Sequence, residues 1–356
     1  MPPRDSHARG SAPSAGIGEP WRRGRGTTGV SASANAMNRN HPGSHRGGSR
    51  GTSSNAHGRR DFEYIASVSR SSGLDKDGDA LKDPVVQVEY RAFIQGKLDT
   101  YWERFPVGQR GSDTEIENHR KEVEGNILIQ LRKLREGISA TKRADEFAVE
   151  VYETSLYLSL IFRSTANLAS IYSHLLHCLL VRSANTPIIW TYVLVQLRAL
   201  VDRGASQKHF YQARTELLKD CKPDDALESW ILGLAHSLHR NEGSRFEVLS
   251  RTRTALEVLP QRPPPPDSGP DLAVAALEGL LNDLREHARR SAWAVFRKSY
   301  REFGPSSRPW IGRLLLFDID LPAGSDALDA WLSQCEKQGE IAPKAAVEGH
   351  WLIVKR

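Results

Sequence analysis

Between Leu281 and Arg313 the sequence sets eight basic residues (Arg285, Arg289, Arg290, Arg297, Lys298, Arg301, Arg308, Arg313) against three acids (Asp283, Glu286, Glu302), a local excess of five positive charges. Guanidinium and ammonium groups at that density can hold phosphates, arginine through a planar fork and lysine as a point charge. Arg290, Arg297, Lys298 and Arg301 recur at spacings of seven, one and three, which predicts one shared helix side, away from Ala292, Val295 and Phe296. A second basic set, Arg22, Arg23, Arg25, Arg46 and Arg50, lies in the first sixty residues, which hold ten Arg and no Lys against only Asp5 and Glu19, a balance of +8. With the whole chain at +6, the remainder carries −2. Five Arg-Gly pairs begin at Arg9, Arg23, Arg25, Arg46 and Arg50, a pattern that suits weak, salt-sensitive tracking of phosphates and stacking on bases. The candidate nucleic-acid-binding residues are therefore Arg289, Arg290, Arg297, Lys298, Arg301, Arg308 and Arg313 with these tail arginines.

Other reactive side chains form no comparable set. His174, His177 and Cys178 fall within one helical pattern and His236 with His239 in another, so a metal site across two helices is conceivable, but without an HExxH context they read as ordinary helix residues. Asp75, Asp77 and Asp79 resemble the start of a calcium loop, yet its glycine is displaced to Gly78 and Val86 stands where the closing Glu belongs. Cys178, Cys221 and Cys335 fit no paired spacing. A phosphate-binding glycine loop, a dinucleotide fingerprint and a nucleophile motif are all missing. The expectation is no catalysis, metal, cofactor or small-molecule substrate.

The elements that must position the basic run are helical. Glu115–Ile138 carries Ile116, Val123, Ile127, Leu131, Leu134 and Ile138 on one face, while Ala144–Phe162 is apolar nearly all round, as in a helix covered on both sides. Leu168–Val181, Pro187–Val201, Ser206–Lys219, Asp225–Arg240 and Ser244–Leu259 follow with short connections, which implies antiparallel neighbours. Pro263 to Pro270 breaks the pattern. A long basic helix, Asp271–Phe303, then leads to the run Trp310–Phe317, to a helix capped at Gly324-Ser325-Asp326 and closed by Gly339, and to two strands, Glu340–Ala342 and Trp351–Val354.

Helix, helix, helix, strand, strand is the winged-helix order. The would-be recognition helix carries Asp326, Asp329 and Glu336 against Lys337, so entry into a phosphate-lined groove is disfavoured. The predicted fold is mainly α: an irregular helical-hairpin stack over 61–260, a Pro-rich break over 261–270, and a long helix with a winged-helix subdomain and short β-hairpin over 271–356. Residues 1–60 lack the apolar content to offset ordering entropy and are expected to be disordered. Pro187–Val201 is too short and too interrupted, by Gln196 and Arg198, to span a bilayer. No secretory or mitochondrial leader is recognised, and a soluble intracellular protein is expected.

Three strings in this order resemble the PCI superfamily of proteasome-lid, signalosome and initiation-factor subunits, and most nearly its Sac/GANP/Thp branch of messenger-RNA export and processing proteins. Leu131-Arg132-Lys133-Leu134-Arg135-Glu136 precedes Val151-Tyr152-Glu153, much as the branch's LRAIRQD precedes VYE; Leu238–Arg251 resembles its helix pair around Arg245-Phe246; and Arg290–Arg301 resembles its basic helix entering the winged helix. Glu136-Gly137 stands where the branch has Gln-Asp. The resemblance implies a non-catalytic nuclear scaffold that docks a partner subunit of a multi-protein complex, with accessory non-specific RNA binding in messenger-RNA processing or export. The alternative it implies is a protein-only structural subunit of a lid- or signalosome-like assembly.

Overall fold

The computed structural model describes residues 62–68, 80–106, 114–175, 185–203, 207–217, 223–262, 270–317, 322–345 and 347–355. Residues 1–60, the Asp75 cluster, His177, Cys178, Cys221 and Pro263–Pro266 lie outside them, and with them the expectations placed there. The described residues are mainly helical, with one small three-stranded sheet.

Helix α1, Pro84–Arg104, starts where the Asp83 carboxylate accepts the Val85 amide at 2.9 Å and Pro84 occupies the first turn. Its buried stripe Val86, Tyr90, Ile94, Leu98 and Tyr101 meets α2, Thr114–Ala140. Leu81, just before α1, rests on Gly137 near the end of α2, whereas Tyr101 at the far end of α1 donates to Glu124 at 2.6 Å, so the pair is antiparallel. α3, Glu146–Ile161, is capped by Asp145 and buried continuously from Val151 to Leu160, because α2 covers one side and α10, Leu272–Ser299, the other. α4 (Leu168–His174) packs on α3, and α5 (Asn185–Arg203), α6 (Gln207–Leu217) and α7 (Asp225–His239) complete the body. The imidazole of His174 stacks on Tyr152 at 4.4 Å, and burial, with Arg135 close by, holds its pKa below the usual histidine value.

A depressed histidine makes the unfolded chain the better proton acceptor below about pH 6.5. Stability held at neutral pH is therefore lost as pH falls from that value toward the lowered folded pKa. His174→Phe, which retains the ring contact, should flatten the melting midpoint between pH 7 and 5; a slope equal to that of the parent would remove His174 from the acid response.

Two features depart from the sequence expectation. Ser244–Leu259 is two short helices, α8 (Gly243–Leu249) and α9 (Thr252–Val258), because Arg251 is extended (φ −73°, ψ 132°) and the Leu249 carbonyl accepts the Trp230 indole N–H at 3.0 Å. The basic helix ends at Ser299, and Glu302–Phe303 instead forms strand β1, which places Phe303 in a core. The chain continues through a 3-10 turn, Pro305–Ser307, to α11 (Arg308–Leu314), α12 (Pro322–Lys337), β2 (Ile341–Pro343) and β3 (Trp351–Ile353). Asp326, read as part of an N-cap, thus lies inside α12. Gly339, at φ 68°, closes that helix in the left-handed conformation glycine tolerates. The sheet order is β1-β3-β2, antiparallel throughout, with Phe303 opposite Trp351 and Ile341 opposite Ile353.

The buried residues form two clusters, and both include α10. Ala273 to Leu284 belongs to the helical body, whereas Trp293 and Phe296 pack with Phe303, Ile311, Leu328, Leu332, Ile341 and Ile353. The change of core therefore falls within α10, between Ala288 and Ala292, and not at the prolines. The chain leaving α9 is held to the body as well: the Pro260 carbonyl accepts the Trp190 indole at 3.0 Å, and Arg262 bonds Tyr157 and lies 3.8 Å from the buried Glu153 carboxylate.

Candidate functional site

The structure sorts the basic run into two groups. Arg285 donates to Ser250 Oγ and to the Leu316 carbonyl, both at 2.9 Å. Arg289 donates to the Leu315 carbonyl at 2.8 Å, pairs with Glu286 and lies 4.0 Å over the Phe317 ring. These carbonyls follow the end of α11, where backbone acceptors have no intrahelical partner, so the two guanidinium groups cap that helix from α10. Burial lowers the Arg289 pKa despite its Glu286 partner. Arg297 donates to Glu340 at 2.6 Å and to the Val354 carbonyl at 2.9 Å.

Arg290 (paired with Glu286), Lys298, Arg301 and Arg313 are exposed, and Arg308 pairs with Asp329 of α12. The expected common side for Arg290, Arg297, Lys298 and Arg301 is thus corrected. Trp293 and Phe296, stacked at 5.2 Å, set the phase of the helix end; Val295 is left 56% exposed and Arg297 is turned toward the sheet. Arg289 and Arg297 consequently hold protein groups, and the outward charge rests on Arg290, Lys298, Arg301 and Arg313. Arg22, Arg23, Arg25, Arg46 and Arg50 lie outside the described residues.

Reading the sequence for charge alone missed two aromatics beside that outward set. Tyr300, 44% exposed, caps α10 beside Lys298 and Arg301 in sequence, and Trp310 of α11, 47% exposed, lies with its ring centroid 5.6 Å from that of Tyr300. The signal was present in Arg297-Lys298-Ser299-Tyr300-Arg301, where an aromatic interrupts a basic run. Exposed rings interleaved with cations suit the stacking of unpaired bases.

The first two strings that carry the family resemblance contribute chiefly packing contacts. Arg135 lies 5.6 Å over the Tyr152 ring and the Tyr152 hydroxyl reaches the Arg135 carbonyl at 3.4 Å, so the first string folds onto the second. Phe246 is buried, and Arg245 at its side is exposed near Glu242. None of these contacts creates a reactive centre. Among the described residues no group of three His, Cys, Asp or Glu could hold a metal, and His236 contacts the Tyr211 hydroxyl at 2.8 Å. The Cys335 thiol is buried, which pushes its pKa up to about 12, the reverse of an activated nucleophile. No described helix is long and apolar enough to cross a membrane.

No protein-family model matches the chain, and no curated protein matches it either.

Proposed function

We propose that this chain is a non-catalytic scaffold of the PCI type, in which a helical body closed by a winged helix docks a partner subunit in nuclear messenger-RNA processing or export, with accessory RNA affinity. The observation that carries the reading is the terminal arrangement: end of α10, β1, α11, α12, β2, β3, with strand order β1-β3-β2, built on a helix that the body and the terminal unit share. A terminal unit continuous with a helical stack presents a fixed composite surface, which serves docking better than catalysis. Support for the RNA component comes from Lys298, Arg301, Tyr300 and Trp310, one patch of cations and stacking rings. The acidic face of α12 argues against groove insertion in duplex DNA.

The test is Lys298→Glu with Arg301→Glu in the full chain, titrated with oligouridylate at several salt concentrations. The salt slope should fall by about one for each phosphate that the parent side chains neutralise. The melting midpoint should stay unchanged, because neither residue makes an ion pair among the described residues. An unchanged slope would confine RNA affinity to the Arg-Gly tail. One observation favours the protein-only subunit as second reading: the inward commitment of Arg285, Arg289 and Arg297 leaves a smaller cationic surface than the sequence promises. Retention of a stoichiometric protein partner by a chain that binds no RNA would establish it.

A further inference from the structure

We infer that Tyr300 is a platform on which one unpaired base of single-stranded RNA stacks, with Trp310 as its side wall; this deepens the RNA component of the proposed function and rests on it. Trp293, Phe296 and Tyr300 recur at spacings of three and four, which sets their rings on one side of the α10 end. Trp293 stacks on Phe296 with centroids 5.2 Å apart and planes 13° from parallel, and Phe296 stacks on Tyr300 at 4.7 Å and 22°. The rings thus run as a near-parallel column from the core to the surface, its two inner members buried and Tyr300 exposed.

Trp310 does not close this column. Its centroid lies 5.6 Å from that of Tyr300 and 5.9 Å from that of Phe296. A ring on the far face of Tyr300 would stand much farther from Phe296 than from Tyr300, so Trp310 flanks the stack, its plane turned 62° from that of Tyr300. The outer face of Tyr300 is covered by no other ring among the described residues. A base laid on it continues the column and meets Trp310 at its edge. The seat is also fixed in advance: the Tyr300 amide donates to the Phe296 carbonyl at 3.0 Å, and the Trp293 indole is held by Glu340 at 2.9 Å. A preformed platform costs a ligand little ordering.

Charge and shape together select the occupant. Lys298, two residues before the ring, and Arg301, one residue after it, are exposed and make no ion pair among the described residues. They can meet phosphates without giving up a carboxylate, unlike Arg290 and Arg308, which are paired with Glu286 and Asp329. An aromatic face beside such cations matches the alternation of base and phosphate along one strand. Inside a duplex both faces of each base are already stacked, so the platform selects for unpaired strands. It does so with little regard to sequence, because every base has a π-face.

The test compares two synthetic strands on the full chain: a short RNA backbone without bases, and the same backbone with a single adenine at its centre. Both carry the same phosphates, so their difference isolates the base. At about 0.3 M salt, where phosphate contacts contribute least, the adenine should raise the affinity of the parent chain roughly tenfold. Tyr300→Leu, which keeps an apolar cover on Phe296, should erase that increment, and Tyr300→Phe should keep it. Lys298→Glu with Arg301→Glu should weaken both strands and lower their salt slope while leaving the increment. With 2-aminopurine in place of adenine, fluorescence should fall on binding the parent and not on binding Tyr300→Leu. Melting confirms that the variants fold; if Tyr300→Leu melts early, the two strands and the fluorescence signal on the parent and on Tyr300→Phe decide. Equal affinity of the parent for the two strands, or an increment that survives Tyr300→Leu, would overturn the platform. In that case, oligouridylate binding with a steep salt slope leaves the RNA reading intact, whereas no binding of oligouridylate removes that reading as well. Loss of a stoichiometric protein partner from Tyr300→Leu, with no adenine increment on the parent, would overturn the platform by assigning the ring to protein docking.

Discussion

Gly137→Val should lower the melting midpoint by roughly 5–10 °C, the response to a loss of about 3 kcal/mol by overpacking a body of this size. A Cβ at position 137 would lie 2.5 Å from the Leu81 carbonyl oxygen and 3.0 Å from the Leu81 Cβ. Neither neighbour can yield easily. Leu81 is fully buried, and its carbonyl accepts the side-chain amide of Gln87 at 2.9 Å, which itself contacts Thr141 at 3.4 Å and Arg143 at 3.0 Å. Moving Leu81 therefore breaks the polar set that fixes the start of α1 on the end of α2. Gly125 and Gly96, also helical, have nothing within 4 Å of a built Cβ, so Ala there should be neutral or stabilising by up to about 1 kcal/mol. Equal melting of the Gly125→Ala and Gly137→Val proteins would show that α1 and α2 approach less closely in solution.

Gly137 also illustrates what the sequence could and could not convey. The periodicity of Ile127, Leu131, Leu134 and Ile138 marks α2, and the unbroken apolar character of 151–160 marks α3 as covered on two sides, since both depend on local patterns that packing then enforces. The same holds for β2 and β3, whose residues suit strands and are closed by turns. Strand β1 was illegible: Glu302-Phe303 extends a helical pattern, and only pairing across the chain with Trp351 and Leu352 makes it a strand. The α8–α9 break was hidden for a similar reason, because the Trp230 indole that takes the Leu249 carbonyl comes from α7. At the candidate site, charge density was readable and charge direction was not. Nothing in the spacing of Arg285 and Arg289 reveals that the carbonyls after α11, 26 and 31 residues later, would claim them.

Glu136-Gly137, in place of the Gln-Asp of the resembling branch, has a physical counterpart too. Glu136 accepts the Ser67 hydroxyl at 2.6 Å and pairs with Arg132, while Gly137 makes room for Leu81. Both residues thus serve the contact of the segment before α1 with α2, a packing role and not a site.

Arg297→Glu should destabilise the fold by about 2–3 kcal/mol, far more than Lys298→Glu next to it, because only Arg297 is a shared partner of helix and sheet. Its guanidinium binds one oxygen of Glu340 at 2.6 Å and the Val354 carbonyl at 2.9 Å, while the other Glu340 oxygen accepts the Trp293 indole at 2.9 Å. The Val354 amide in turn donates to the Glu340 backbone carbonyl at 2.9 Å. Reversal of the charge would set two carboxylates together, strip the Val354 carbonyl of its donor and leave Glu340 without its cation. Solvent reaches about a quarter of each side chain (22% and 26%), which is why the expected loss stays below that of a fully buried pair. Arg297→Glu combined with Glu340→Arg should recover part of the stability, and a double-mutant cycle on thermal melts gives the coupling directly. A single variant that melts like the parent would mean that the pair does not form in solution. If the expected loss is found, any fall in RNA binding by Arg297→Glu must be assigned to a loosened sheet before it is assigned to a missing cation at the RNA, and Lys298 with Arg301 becomes the informative pair for that question.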